Sequence, residues 1–317
     1  MARKRASAAP EPPGAVSQAA TPSPQQGLVI SHLGQGLAVE NAAGEIVLCH
    51  TRRRLGGVAV GDRVLWVSSE GQGRVEEVLP RRSLLTRPGH NAKVRPVAAN
   101  LDIVLVVVAP APEPDWLLVD QYLAACEHRD LAAAVVVNKI DRVGDRAAVL
   151  ATLADYQALG YSGFAVSAKS GEGLDGLRAG LAGRCAMLAG QSGVGKSSLT
   201  NALLPDRQLR TRELSEKAGL GRHTTTAATL YHLPGGGDLI DSPGVAVFGL
   251  AEMNAQDLAW GYREFRDWLG RCRFNDCRHT GDKGCAVREA AEAGTIGPDR
   301  YRRFVKLLGK LQLMGGP

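Results

Sequence analysis

Apolar residues follow different rhythms along the chain. Up to residue 26 there is almost no large apolar residue among the Ala, Pro, Ser and Gln, so 1–26 is expected to be a disordered tail. From Gly27 to about Arg95, short alternating runs (Leu28–Ile30, Gly36–Glu40, Glu45–Cys49, Arg63–Val67, Arg74–Leu79) are separated by Gly turns such as Ala43-Gly44 and Glu70-Gly-Gln-Gly73. About five short strands in seventy residues predict a small OB-type β-barrel over 27–95. From Asn100 the strands become continuously apolar: Leu101–Ala109, Leu131–Val137, Gly163–Val166 and Cys185–Ala189. Helical stretches Leu117–His128, Ala147–Leu159, Leu174–Leu181 and Ser197–Leu204 alternate with them. That alternation predicts a doubly wound α/β sheet over 96–250, with ligands at the carboxyl ends of its strands. Helices over Asp257–Leu269, Val287–Ala293 and Pro298–Leu313 predict a small helical module over 251–317.

Composition adds limits. The 317 residues are 44% hydrophobic, enough for more than one core. No apolar run approaches the ~18–20 residues of a membrane span. Met1–Arg5 is basic but has no apolar segment behind it, unlike a secretory signal. A transit peptide would need an amphipathic period that the tail lacks, so the expected location is the cytoplasm. The net charge of +6 is uneven: 13 Lys/Arg face 7 Asp/Glu over 1–100, 13 face 16 over 101–250, and 12 face 9 over 251–317. An acidic middle between basic flanks suggests flanks that touch a polyanion, RNA above all. Arg52–Arg54, Arg81, Arg82, Arg87, Lys93 and Arg95 fall where an OB barrel meets oligonucleotides, or on a rim that keeps the barrel soluble. Of six cysteines, Cys49, Cys126 and Cys185 stand alone in apolar surroundings, as small buried hydrophobes do.

The α/β region carries the chemistry. Gly190-Gln191-Ser192-Gly193-Val194-Gly195-Lys196-Ser197-Ser198 fits G-x-x-x-x-G-K-[ST], with a strand before it and a helix after it. Glycines let backbone N–H groups surround a phosphate at a helix N-terminus, where the helix dipole favours an anion. Lys196 would reach the β- and γ-phosphates, and the Ser197 hydroxyl would hold Mg²⁺. Asn138-Lys139-Ile140-Asp141 resembles the guanine motif N-K-x-D, whose Asp pairs with N1–H and the exocyclic amine of guanine. Ser167-Ala168-Lys169 matches the supporting S-A-K motif, in which a backbone N–H contacts the guanine oxygen. Asp241-Ser-Pro-Gly244 matches D-x-x-G, with Asp241 on Mg²⁺ through water and the Gly244 N–H near the γ-phosphate. Thr224 and Thr225 are candidates for the switch threonine on Mg²⁺, with Thr225 preferred. N-K-x-D and S-A-K precede the phosphate loop, the reverse of the usual order, which predicts a circularly permuted GTPase domain. Val245 stands where many GTPases carry a water-orienting Gln. His223 is the nearest polar candidate, read either as the residue that orients water or as a surface side chain. Slow hydrolysis without a partner follows from either reading.

Cys272, Cys277, His279 and Cys285 stand at C-x4-C-x-H-x5-C, a donor set suited to one closed, structural Zn²⁺ site. Arg271, Arg273, Arg278, Lys283 and Arg288 surround it, as on an RNA-facing knuckle or on any soluble zinc module.

Barrel, permuted GTPase motifs and zinc module together resemble the ribosome small-subunit-dependent GTPase A family of bacteria, over about residues 27–317. The resemblance implies a GTPase that uses GTP, Mg²⁺ and one Zn²⁺; a monomer with neither DNA nor membrane as partner is expected. It would bind the small ribosomal subunit through rRNA late in assembly. Hydrolysis to GDP would be stimulated by the subunit and accompany release. The family's nucleotide contacts carry over to Asn138–Asp141 and Gly190–Ser198, and its zinc ligands to Cys272, Cys277, His279 and Cys285. The alternative is a GTP-gated rRNA chaperone in which hydrolysis is incidental.

Overall fold

The computed structural model describes residues 23–34, 36–52, 55–69, 72–88, 94–142, 146–206, 228–242, 250 and 253–313, and only the backbone at 69, 87, 88 and 94. Five strands come first: β1 (Gln25–Leu33), β2 (Gly36–Asn41), β3 (Ile46–Thr51), β4 (Arg63–Ser69) and β5 (Gln72–Val78). They close as a ring in the order β1-β2-β3-β5-β4-β1, antiparallel except for β3 beside β5. This is the five-stranded OB-type barrel. Its inward positions, Val29, Val39, Cys49, Val64, Trp66 and Val75, form a core of their own.

β1 is longer than the barrel needs. A register shift between Val29 and Ser31 bends it, so that Gln25–Leu28 pair with β4 while Ser31 pairs with Thr229 of the next module. The Ser31 hydroxyl also donates to the Ala228 carbonyl at 3.2 Å. A hairpin not read in the sequence, β6 (Leu84–Pro88) and β7 (Val94–Ala99), follows the barrel. Asp62, fully buried, accepts from Arg81 Nε and Nη2, both at 2.7 Å, and from the Ala59 N–H at 2.7 Å. Asn100 Nδ2 donates to the Gly61 carbonyl at 2.9 Å. Strand pairing thus fixes the barrel to its neighbour, and the Arg81–Asp62 ion pair braces the segment that leads out of the barrel.

The second module contains β8 (Ile103–Val108), α1 (Trp116–His128), β9 (Ala132–Val137), α2 (Arg146–Ala158), β10 (Ser162–Ala165) and α3 (Leu174–Leu181). It continues with β11 (Cys185–Ala189), α4 (Lys196–Leu203), β12 (Thr229–His232) and β13 (Asp238–Asp241). The sheet runs β10-β9-β8-β11-β13-β12, parallel throughout except β12. β8 explains its own unbroken apolar sequence. Val104, Val106 and Val108 pack with Leu123 and Leu153 on one face, while Ile103, Leu105 and Val107 pack with Leu177 and Leu199 on the other.

The C-terminal helices are α5 (Ala255–Trp260), α6 (Ala286–Glu292) and α7 (Pro298–Leu313). The single helix expected over Asp257–Leu269 is instead α5 and a separate 3-10 turn, Arg263–Phe265. A Cβ at Gly261 would lie 2.8 Å from the Ala124 Cα of α1, so the chain passes against α1 there. Tyr262, Phe265 and Phe304 then form an aromatic core with centroids 4.9–5.4 Å apart. Charge reinforces this docking. Buried Asp120 of α1 accepts from Arg300 Nη1, from Arg303 Nε at 2.5 Å and from the Tyr156 hydroxyl at 2.5 Å. Arg300 Nε donates to Glu264 at 2.7 Å, completing a network in which each buried charge has a partner.

Cys49, Cys126 and Cys185 are buried and free, and burial pushes their thiols up to about 11, 12 and 12. They act as core hydrophobes. No helix among the described residues is long and apolar enough to cross a membrane.

Candidate nucleotide and metal sites

The parallel strands β8, β9, β10, β11 and β13 end at one edge of the sheet, and the sequence motifs leave from those ends. The phosphate loop follows β11, N-K-x-D follows β9, S-A-K lies just beyond β10 and Asp241 closes β13. β13 lies directly beside β11, with Met187 opposite Ile240, so Asp241 comes off the sheet next to the phosphate loop. This is the edge where open α/β sheets bind ligands.

Within the phosphate loop, Gly190, Gly193 and Gly195 have φ of +128°, +80° and +93°. Crowding also demands glycine. A Cβ would lie 2.2 Å from the Val107 carbonyl oxygen at Gly190, and 2.5 Å from Asn138 Nδ2 at Gly195. Lys196 Nζ donates to the Gly190 and Gln191 carbonyls at 2.7 and 2.6 Å, folded across its own loop. Burial lowers the Lys196 pKa. Ser197 and Ser198 are exposed in the first turn of α4. Ser192 is exposed, and buried Val194 anchors the loop in the core beneath it.

The guanine motif is braced to this loop directly. Asn138, buried, donates from Nδ2 to the Val194 carbonyl at 3.0 Å and accepts through Oδ1 from the Ala168 N–H at 3.1 Å. It therefore ties the phosphate loop to S-A-K. Lys139, with φ +63°, donates to the Ala111 carbonyl at 2.9 Å and to the Gly193 carbonyl. Ile140 is a buried anchor. Asp141 is solvent-facing and accepts from the Ser167 hydroxyl at 2.6 Å. That bond, with Lys169 and Arg142 nearby, holds its carboxyl below the usual range and keeps it an acceptor.

Gln191 has a part that the sequence pattern does not reveal. Its Nε2 donates to the Glu113 carbonyl at 2.8 Å and its Oε1 accepts from the Asp115 N–H at 2.7 Å. Asp115 caps α1, so the phosphate loop is tied to the start of that helix. The motif leaves this position open, and the partner lies 76 residues away, so only the fold exposes the link. His223, Thr224, Thr225 and Gly244 lie outside the described residues.

The second constellation is in the C-terminal module. One donor atom from each of Cys272, Cys277, His279 and Cys285 falls within 4.8 Å of the others. His279 Nδ1 lies 3.5 Å from Cys272 Sγ and 3.6 Å from Cys285 Sγ. Zn–S and Zn–N bonds of about 2.3 and 2.0–2.1 Å at tetrahedral angles give an S···N edge of roughly 3.6 Å, so the donor set fits Zn²⁺. Burial pushes the Cys277 and Cys285 thiols up and lowers His279; a neutral imidazole is the form that binds a metal. His279 has φ +61°, a left-handed turn, and the Tyr301 hydroxyl of α7 steadies it by donating to its carbonyl at 2.9 Å.

The basic residues expected around the barrel divide in two. Arg81 is committed to buried Asp62, Arg82 pairs with Asp102, and Arg52 pairs with Glu76 at 2.9 Å. Arg95 is exposed. Arg53, Arg54 and Lys93 lie outside the described residues, as does the Arg87 side chain.

A phosphate loop entered after its guanine motif, on a doubly wound sheet between a barrel and a Cys/His helical module, defines a circularly permuted GTPase. The RsgA GTPase family profile matches residues 78–251. A small ribosomal subunit biogenesis GTPase RsgA from Azotobacter vinelandii is 46% identical over 90% of this chain and 86% of its own, and one from Pseudomonas putida is 45% identical over the same shares. YjeQ from Thermotoga maritima superposes with a TM-score of 0.75 at 34% identity, covering 92% of this chain and 99% of its own. YloQ, described as a circularly permuted GTPase, gives 0.72 at 25% identity, covering 92% and 96%. The chain belongs to the RsgA GTPase family and is a GTP-hydrolysing enzyme.

Proposed function

We propose that this chain is a maturation factor of the small ribosomal subunit, binding it through rRNA in the GTP state and leaving it when hydrolysis, stimulated by the subunit, has occurred. The observation that carries the reading is the 46% identity over 90% of the chain to a small ribosomal subunit biogenesis GTPase. The site supports the chemistry. Asp141, kept ionised and open, would take guanine N1–H and the exocyclic amine, while the Ala168 N–H, which here donates to Asn138, would be shared with the guanine oxygen. The Gly190–Ser198 loop would hold the phosphates, with Lys196 turning from its own carbonyls to the β- and γ-oxygens. The oxygens of Ser197, Thr225 and Asp241 are the hard donors that Mg²⁺ prefers, and Mg²⁺ supplies charge neutralisation at the transferring phosphoryl. Cys272, Cys277, His279 and Cys285 would hold one Zn²⁺, which shapes the knuckle and takes no part in hydrolysis.

His223 is proposed to orient the water, a task that Val245 cannot perform. A switch lacking the usual glutamine supports slow turnover alone and a trigger supplied by the partner. The test is co-sedimentation with small subunits. A non-hydrolysable GTP analogue should retain the protein on immature particles at least tenfold better than GDP, and equal retention in both states refutes a nucleotide-controlled release.

A further inference from the structure

Among the described residues, three large apolar side chains stand far out of the protein, and two share one groove: Trp260 at 54% and Phe274 at 47% exposure. The groove is open on one side and measures about 320 Å³, a volume that includes the space Zn²⁺ would take beside Cys272, Cys277 and His279 in its wall. That is the low end of the roughly 300–1,000 Å³ of small-ligand cavities, a space for one flat heterocycle and not for a helix. Gln256 and Asn275 line the same space, and their amides can each donate and accept. A second cavity of similar volume shares Gln256, Cys277 and His279, and adds Arg278 beside Asp276.

The charge around the groove indicates what occupies it. Arg266 stands over the Trp260 ring at 5.0 Å and Arg273 over the Phe274 ring at 5.5 Å. Arg266 is tied to Glu127 at 2.5 Å, which fixes it in place. Arg271, Arg273 and Arg278 make no ion pair with any described carboxylate. Aromatic walls, base-edge amides and guanidinium groups without counter-ions form a combination that suits a nucleotide. A base ring would stack in the first cavity while its backbone phosphate reached the arginines. An apolar peptide would leave the unpaired guanidinium groups without a partner.

We propose that this groove captures one unpaired nucleobase of an RNA strand, stacked on Trp260 and Phe274, with its edge met by Gln256 or Asn275 and its phosphate by Arg273 or Arg278. A base already paired in a duplex cannot enter. The proposal rests on the reading that the chain works on RNA, and the experiment separates the two. The zinc-loaded full chain is titrated with a short labelled single-stranded oligoribonucleotide and with a hairpin duplex, following anisotropy and tryptophan quenching. Trp260→Ala and Phe274→Ala should each weaken single-strand binding by roughly tenfold and leave duplex binding unchanged. Trp260→Phe should restore most of the affinity, because it keeps a stacking face. Both side chains are exposed, and zinc content checks that the module stays folded. If the wild type binds the strand and the alanine variants bind equally well, the base site is refuted while the RNA reading stands. If the wild type binds no RNA, both fail. If the variants keep RNA affinity but lose small subunits, the groove takes a protein, and the proposal is wrong.

Discussion

Asp141, the side chain proposed to choose the base, shows how neighbours prepare a single carboxylate. The Ser167 hydroxyl holds it ionised and aimed, while Asn138 and Lys139 clamp its loop to the phosphate loop. Asp141→Asn should weaken GTP binding by about 10- to 100-fold, the scale of a charge-assisted pair, and gain xanthosine triphosphate in equilibrium binding. GTP affinity unchanged by the substitution contradicts the assignment. The side chains proposed to meet base and phosphate were legible in the sequence because each belongs to a short local motif. Gln191 and Arg81 were not. Gln191 sits at an open position of its motif, and its partners are set by how two distant loops meet. Arg81 reads as one more surface arginine until the fold sets it against Asp62.

Elements were legible where periodicity was long. The five-strand barrel, the alternating sheet and helix pattern, and the last two helices follow the apolar rhythm closely. The hairpin β6–β7 and the four-residue β12 escaped because short strands with mixed faces leave no rhythm to read. β12 carries His232, whose Nε2 meets Glu40 of the barrel at 2.6 Å and whose Nδ1 meets Asp238 of β13 at 2.6 Å. These two carboxylates raise the His232 pKa to about 9 from the usual 6.5. A folded-state value above the unfolded one stabilises fully below about pH 6.5, and that contribution disappears as pH rises through about 9. His232→Gln should therefore lower the melting temperature at pH 6 by a few degrees, with the deficit vanishing near pH 10. A deficit that does not vary with pH means that the histidine is not charged in the folded protein.

At the scale of the molecule, the nucleotide edge is connected to both flanks. β1 belongs to the barrel and also pairs with β12 of the GTPase sheet. Gln191 reaches the cap of α1, and Asp120 on that helix receives Arg300 and Arg303 from α7. The permutation places Asp241 and the chain leading to the C-terminal module in sequence. A change at the γ-phosphate thus has covalent and packed routes to the modules proposed to meet rRNA. The most direct measurement is GTP turnover with and without purified small ribosomal subunits. The account predicts slow turnover alone and stimulation of at least tenfold by the subunit, on the way to the 10³–10⁵-fold that completing a GTPase site can supply. Equal turnover in both conditions, with subunits tightly bound, contradicts it and favours a GTP-gated RNA chaperone.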